Sequence, residues 1–64
     1  MNLVAKSFTL VATRRGALVA VAACDSMAEA EVRFDVFAAR GLVDRGEIFA
    51  ADRSERPVRV LQVR

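Results

Sequence analysis

Residues 5–24 read AKSFTLVATRRGALVAVAAC, a segment that predicts a β-hairpin. Apolar and polar side chains alternate over residues 5–13, and the β-branched residues among them are typical of a strand. Residues 14–16 end on a glycine and indicate a three-residue turn, because glycine adopts the left-handed conformation without a Cβ clash. A second, strongly apolar strand is predicted over residues 17–24.

The turn also predicts how the two strands pair. It places Thr13 opposite Ala17, and counting along both strands then pairs Leu10 with Ala20 and Phe8 with Ala22. One face of the hairpin is expected to meet a helix and comprises Phe8, Leu10, Ala12, Leu18, Ala20, Ala22 and Cys24. The opposite face comprises Thr9, Val11, Val19 and Val21.

A helix is predicted over residues 27–40, directly after the hairpin. Ser26 and Glu29 have the spacing of a capping box, in which the serine hydroxyl accepts from the Glu29 N–H and the Glu29 carboxylate reaches back. Gly41 is suited to the left-handed residue that follows a helix. One buried stripe is predicted from the i, i+3, i+4, i+7 spacing of Met27, Ala30, Phe34, Phe37 and Ala38.

Two more strands are predicted after the helix, over residues 47–51 and 58–63. Gly46 is interpreted as part of the turn before the first of them, and the polar residues 52–57 as the loop between the two. The element order β-β-α-β-β predicts an α+β fold in a single domain over residues 1–64. We expect a four-stranded antiparallel sheet with the helix packed on one face, because each apolar surface must bury the other.

The composition excludes several classes of chemistry. The chain has 64 residues, no His and one Cys, so histidine-based triads and thiolate-rich zinc sites are excluded. It also lacks a glycine-rich phosphate loop. We therefore expect no enzyme, with no catalytic residue, cofactor, metal or small-molecule substrate. A chain this short buries only about 60% of the surface that its unfolded form exposes, so stabilisation by a second molecule is expected.

The residues before Cys24 resemble a bacterial lipoprotein export signal, since Lys6, Arg14 and Arg15 precede a short apolar run. Cleavage before Cys24 would leave too little chain to build a core. The run is also shorter than the ~20 residues that span a bilayer. We therefore expect a cytoplasmic protein in which Cys24 is a small buried side chain, with an intersubunit disulfide as the alternative.

The arginines are the candidate contact residues for a partner or for nucleic acid. Ten basic residues against eight acidic ones give a formal charge of only +2, and most of the arginines fall in predicted loops or near the C-terminus. If both hairpin loops lie at the same end of the sheet, they form a basic rim that contacts phosphates or an acidic protein surface. The candidates are Arg14, Arg15, Arg53, Arg56 and Arg59.

Valines that the predicted core does not use are the candidates for self-association. Val11, Val19 and Val21 lie on the sheet face away from the helix and are the first choice. Val32 and Val36 lie on the helix roughly opposite Phe34 and are the second choice.

The sequence favours a non-catalytic protein-interaction module, a homodimer that binds and occludes a surface of a protein or ribonucleoprotein complex. In length, element order and lack of catalytic residues, the chain resembles in format the small inhibitors of phages and mobile elements, such as anti-CRISPR proteins. Two alternatives remain open. One is a small basic protein that contacts nucleic-acid phosphates through its arginine-bearing loops, and the other is a structural subunit of a larger assembly.

Overall fold

A computed structural model describes residues 7–52 and 55–63. The elements occur in the predicted order and are β1 (Phe8–Arg14), β2 (Ala17–Cys24), α1 (Met27–Ala39), β3 (Arg45–Ala50) and β4 (Arg59–Gln62). The four strands form one antiparallel sheet in the order β2-β1-β3-β4. The helix packs against β1, β2 and β3 on one face of this sheet. The predicted α+β fold is confirmed.

The β1–β2 hairpin differs from the prediction in its turn and in its register. Its loop has two residues, Arg15 and Gly16, with φ angles of 51° and 81°. Positive φ at both positions is what a type I′ turn requires, and its twist matches that of the flanking strands. The predicted three-residue turn is therefore wrong, because Arg14 belongs to β1 and pairs with Ala17.

A β-bulge changes the register a second time, between Ala12 and Thr13 of β1. Leu10 consequently lies opposite Ala22 and not Ala20, and Phe8 lies opposite Cys24. The total slip is two residues, so most side chains keep their predicted face, since the side-chain period of a strand is also two. Leu18 is the exception.

Leu18 pairs with Thr13 on the sheet face away from the helix, where it is exposed. Alternation along the sequence predicts Leu18 on the helix side, and this prediction is wrong because a bulge, with Val19 as its extra residue, lies between Leu18 and Ala20.

Both predicted ends of the helix are observed. The N–H of Glu29 donates to Ser26 Oγ at 3.1 Å, as predicted, whereas the Glu29 carboxylate lies 3.5 Å from Arg33 Nε and does not reach back as the capping box predicts. At the other end, Gly41 has a φ of 70°, and the N–H groups of Gly41 and Leu42 donate to the carbonyls of Ala38 and Phe37. This is the Schellman motif, which satisfies carbonyls that the last turn leaves without partners.

The core lies between the helix and the inner face of the sheet. Its buried members are Leu10, Ala12, Cys24, Ala30, Phe34, Val43 and Ile48. Cys24 is thus a buried small side chain, as predicted. Val43, in the connection between α1 and β3, is a core residue that the predicted stripe and strands did not include.

The predicted element ends need smaller corrections. The helix ends at Ala39 and β4 covers only Arg59–Gln62, while residues 5 and 6 of the predicted first strand lie outside the described residues. The third strand begins at Arg45, so Gly46 lies inside β3 and not in a turn. Gly46 is buried beneath Phe34: a Cβ at this position would come within 2.5 Å of the Phe34 ring.

Replacing Ser26 with alanine is expected to lower the free energy of unfolding by about 1 kcal/mol, because the Glu29 N–H loses its acceptor at the start of α1. Urea denaturation followed by circular dichroism measures the change. Ser26→Asp, which keeps an acceptor oxygen, should restore most of the loss. Equal stability of Ser26→Ala and the wild type would contradict a structural role for this cap.

Candidate protein-interaction surface

The sheet has a second face, which the helix does not cover. Strand pairing places on it, from β2 to β4, Leu18, Val21, Ala23, Thr9, Val11, Thr13, Arg45, Glu47, Phe49, Val60 and Gln62. We call this surface the outer face. No element in the described part of the chain packs against it.

Large apolar side chains are exposed on the outer face at both sides of the sheet. Leu18 is 64% exposed and Val21 60% exposed on β2, and Val60 is 43% exposed on β4. Val11 lies between them on β1 and is half-buried by its neighbours. Val21, Val11 and Val60 belong to one row across the sheet, with Glu47 between Val11 and Val60. Isolated apolar residues are ordinary on protein surfaces, whereas several exposed on one face are typical of a binding site.

The charged side chains on the outer face balance each other. Arg45 and Glu47 are two residues apart on β3, with the Arg45 Nη2 4.0 Å from the Glu47 Oε2. Both side chains keep substantial exposure, at 43% and 31%. The outer face therefore has no net charge and exposes apolar side chains on both sides of this ion pair, which favours a protein surface over a phosphate backbone as its ligand.

A shallow depression lies at the end of the outer face where β3 finishes. Thr9, Phe49, Ala50 and Ala51 line it. None of these residues carries a titratable side chain, so the depression offers apolar contact and a hydroxyl but no acid or base.

The structure separates the predicted self-association valines into different surfaces. Val11 and Val21 lie on the outer face, as predicted, and they pair with each other because the register differs from the predicted one. Val19 is the extra residue of the bulge and is exposed. Val32 and Val36 are exposed on the helix, on the opposite side of the molecule. The sheet and helix valines therefore cannot form one continuous patch.

The predicted basic rim does not form. β1 and β3 are antiparallel neighbours, with Phe8 opposite Ala50, so the loop after β1 and the loop after β3 lie at opposite ends of the sheet. Arg14 and Arg15 are consequently far from Arg56. The predicted rim depended on the order of the strands in the sheet, which no local stretch of the sequence determines.

The remaining rim candidates have different surroundings. Arg56 is exposed in the loop between β3 and β4, and Arg53 lies outside the described residues. Arg59 on β4 faces the helix, and its Nε is 2.7 Å from the Glu31 Oε2. This ion pair joins the sheet edge to α1, so Arg59 is already engaged within the chain.

A different arginine cluster forms at the end of the molecule where the helix finishes. It comprises Arg14, Arg15, Arg40 and Arg45. The Arg14 guanidinium donates to the Gly41 carbonyl beyond the helix end, and the Arg15 N–H donates to Asp44 Oδ2 at 2.9 Å. Sequence reasoning missed both Arg40 and Arg45. Arg45 becomes a neighbour of the first turn only when β3 pairs with β1, and Arg40 only when the end of the helix contacts Arg14.

No family model matches this chain, and neither does any curated protein or solved structure. Within the described residues, no helix combines the length and the apolar character that crossing a membrane requires. The interpretation of function therefore depends on the surfaces described above.

Proposed function

We propose that this protein is a non-catalytic interaction module that acts as a homodimer and occludes a surface of a protein partner. The observation that carries the proposal is the outer face, an apolar surface on the side of the sheet opposite the helix. In this proposal the protein works in the cytoplasm, where a reducing environment suits its buried thiol, Cys24.

The chemistry of the outer face supports a protein partner. Leu18, Val21 and Val60 offer apolar contact, and the ion pair between Arg45 and Glu47 leaves no surplus positive charge for phosphates. A partner surface with apolar side chains for the two edges of the outer face, and with polar groups for the ion pair between them, complements this pattern.

The size of the outer face favours two copies acting together. A four-stranded sheet about 19 Å wide with strands about 20 Å long presents about 400 Å² in projection. Stable complexes bury about 800 Å² of accessible surface per partner, a measure that follows the side chains and so exceeds a flat projection of the same patch. One outer face therefore lies toward the small end of the range for specific interfaces, and two outer faces side by side would offer twice the area.

Occlusion is a mode of action that needs no catalytic group. A bound outer face excludes any other ligand from the same partner surface, which is how a small inhibitor of the phage or mobile-element kind acts. The same binding without competition would describe a structural subunit, so loss of the partner's activity on binding distinguishes the two.

Nucleic-acid binding is the second candidate, and the arginine cluster at the helix end supports it. Arg14, Arg15, Arg40 and Arg45 lie close to only two acidic residues, Asp44 and Glu47. Four arginines against these two carboxylates give this end a net positive charge. A phosphate backbone held there would dissociate steeply as the salt concentration rises.

Capture from cells that naturally produce the protein tests the proposal, with surface variants as separate baits. We expect the wild type to retain a protein that Val60→Lys on the outer face loses. The matched control is Val32→Lys, which places the same charge on an exposed valine of the helix and should retain the partner. Nuclease treatment should leave the complex intact.

The competing candidate gives a different pattern. The proposal is overturned if Val60→Lys retains the ligand and the double variant Arg14→Ala, Arg15→Ala loses it. That result would place the binding site at the basic end. Retention of nucleic acid alone, released when the salt is raised from about 50 to about 200 mM, would establish the second candidate.

A further inference from the structure

We infer that two copies of this chain join through the edge of β2 and form one continuous antiparallel sheet. The inference rests on the homodimer of the proposed function and specifies its interface. β2 is the outermost strand on its side of the sheet, and no described residue pairs with its other edge. The backbone groups along that edge are a template for another strand.

The two edge strands of the sheet differ sharply in their protection. β4 has four residues, follows Pro57 and carries Arg59, a charge directed toward the helix side. Short length, proline and inward charge are features that prevent pairing with another chain. β2 has eight residues, ALVAVAAC, and contains no charge, proline or glycine. Apart from the bulge at Val19, its edge therefore lacks the usual protection.

The uncharged side chains of β2 favour a second copy of this chain as the partner at its edge. In a symmetric antiparallel pair, residues near the two-fold axis meet their own copies. A charged strand would repel itself there, whereas every β2 side chain is uncharged. The bulge at Val19 disturbs one end of β2, which leaves residues 20–24 as the regular pairing segment, with Ala22 at its centre.

The helix has a flank that faces the β2 side. Glu31 contacts Arg59 on β4, so the flank that carries Glu31 is directed toward β4. At about 100° per residue, Arg33 lies about 160° around the helix from Glu31 when measured across the buried Phe34 side. Arg33 and its neighbour Glu29, 3.5 Å away, therefore face the side where the second copy would lie.

The position of the helix along the strand direction places this flank opposite the same flank of the second copy, with opposite charges facing each other. Ala22, Leu10, Ile48 and Arg59 form one row across the sheet, and Arg59 contacts Glu31. A two-fold axis at Ala22 therefore passes beside residue 31, midway between Glu29 and Arg33. The antiparallel copy then presents Glu29 to Arg33 and Arg33 to Glu29.

The spacing also fits. The helix contacts β1, β2 and β3 and is centred over β1. Two helices in the dimer would thus lie three strand spacings apart, about 14 Å, a gap that arginine and glutamate side chains span. The dimer leaves both outer faces open side by side, which doubles the surface available to a partner.

Sedimentation velocity of the purified full chain tests the inference. The interface is small, so we expect the monomer–dimer transition between about 10 μM and about 1 mM. Val21→Lys should weaken the dimer about tenfold or more, because lysine on an edge strand opposes pairing with a like-charged copy. The matched control is Val60→Lys, on the same face but on β4, and it should dimerise as the wild type does.

The flank contact has its own test. Arg33→Glu should weaken the dimer several-fold, because it places carboxylates opposite carboxylates, and adding Glu29→Arg should restore it. An Arg33→Glu variant that dimerises as tightly as the wild type would contradict the arrangement. Equal dissociation by Val21→Lys and Val60→Lys would contradict pairing through the β2 edge and would indicate a dimer that joins through the outer faces.

The outcomes separate this inference from partner binding. A wild type that stays monomeric to about 1 mM, yet captures a partner through Val60, overturns the edge dimer and leaves partner binding intact. A dimer that captures nothing overturns partner binding and leaves the edge dimer intact.

Discussion

Phe34→Ala is expected to leave the domain largely unfolded at 37 °C. Phe34 is 4% exposed and fills the space between α1 and the inner face of the sheet. Removing a buried phenylalanine ring costs about 3 to 5 kcal/mol. A domain of 64 residues has a total stability of only about 3 to 10 kcal/mol, so the loss consumes much of it.

Urea denaturation followed by circular dichroism, at a protein concentration low enough to keep the chain monomeric, measures this effect. Phe37→Ala is the matched control, because Phe37 lies on the same helix and is only half-buried. Its loss should be clearly smaller. A cost for Phe37→Ala equal to or above that of Phe34→Ala would place the centre of the core elsewhere.

Gly46→Ala is expected to destabilise the domain by about 1 to 3 kcal/mol, the usual cost of overpacking a core. A Cβ at Gly46 would lie 2.5 Å from Phe34 Cδ1, 2.9 Å from Phe34 Cε1 and 3.2 Å from Leu10 Cδ1. The ring cannot withdraw without opening the contact between α1 and β3. Where space exists, the same substitution stabilises by about 0.4 to 1 kcal/mol, so the sign of the effect is informative.

A double-mutant cycle with Phe34→Leu identifies the clash. Leucine removes part of the ring that a Cβ at Gly46 would strike, so Gly46→Ala should cost less in the Phe34→Leu background than in the wild type. The same denaturation experiment reads out all four proteins. Additive costs, or a stabilised Gly46→Ala, would mean that Phe34 does not pack on this glycine.

Patterns of short range predicted much of the fold. Alternation along β1 and β2 identified Leu10, Ala12 and Cys24 as core residues, and the spacing of Ser26 and Gly41 identified both ends of the helix. These signals are local, so they survive an error in register of two residues.

The errors concern features that depend on distant contacts. Arg15 adopts a left-handed conformation that is uncommon for arginine, and its N–H donates to the side chain of Asp44, which is distant in the sequence. Gly46 is a residue type typical of turns, but it lies inside β3, where the Phe34 ring packs so closely that there is no space for a Cβ. In both cases tertiary contacts outweigh the local preference.

The outer face could be predicted only in part from the sequence, because some of its residues reach it through distant contacts. Val11 and Val21 followed from alternation, whereas Leu18 joined the outer face through the bulge and Val60 through the pairing of β4 with β3. The basic rim failed because β3 inserts beside β1 and sends the two loops to opposite ends. Strand order is not encoded in any one segment.

Amide hydrogen exchange of the wild type at low and high protein concentration tests the central claim most directly, because it locates the surface that a second chain covers. We predict that amides within residues 20–24 of β2 exchange more slowly at high concentration, while those of β4 (Arg59–Gln62) do not change. Protection of β4, or exchange in β2 that is independent of concentration, would contradict the account.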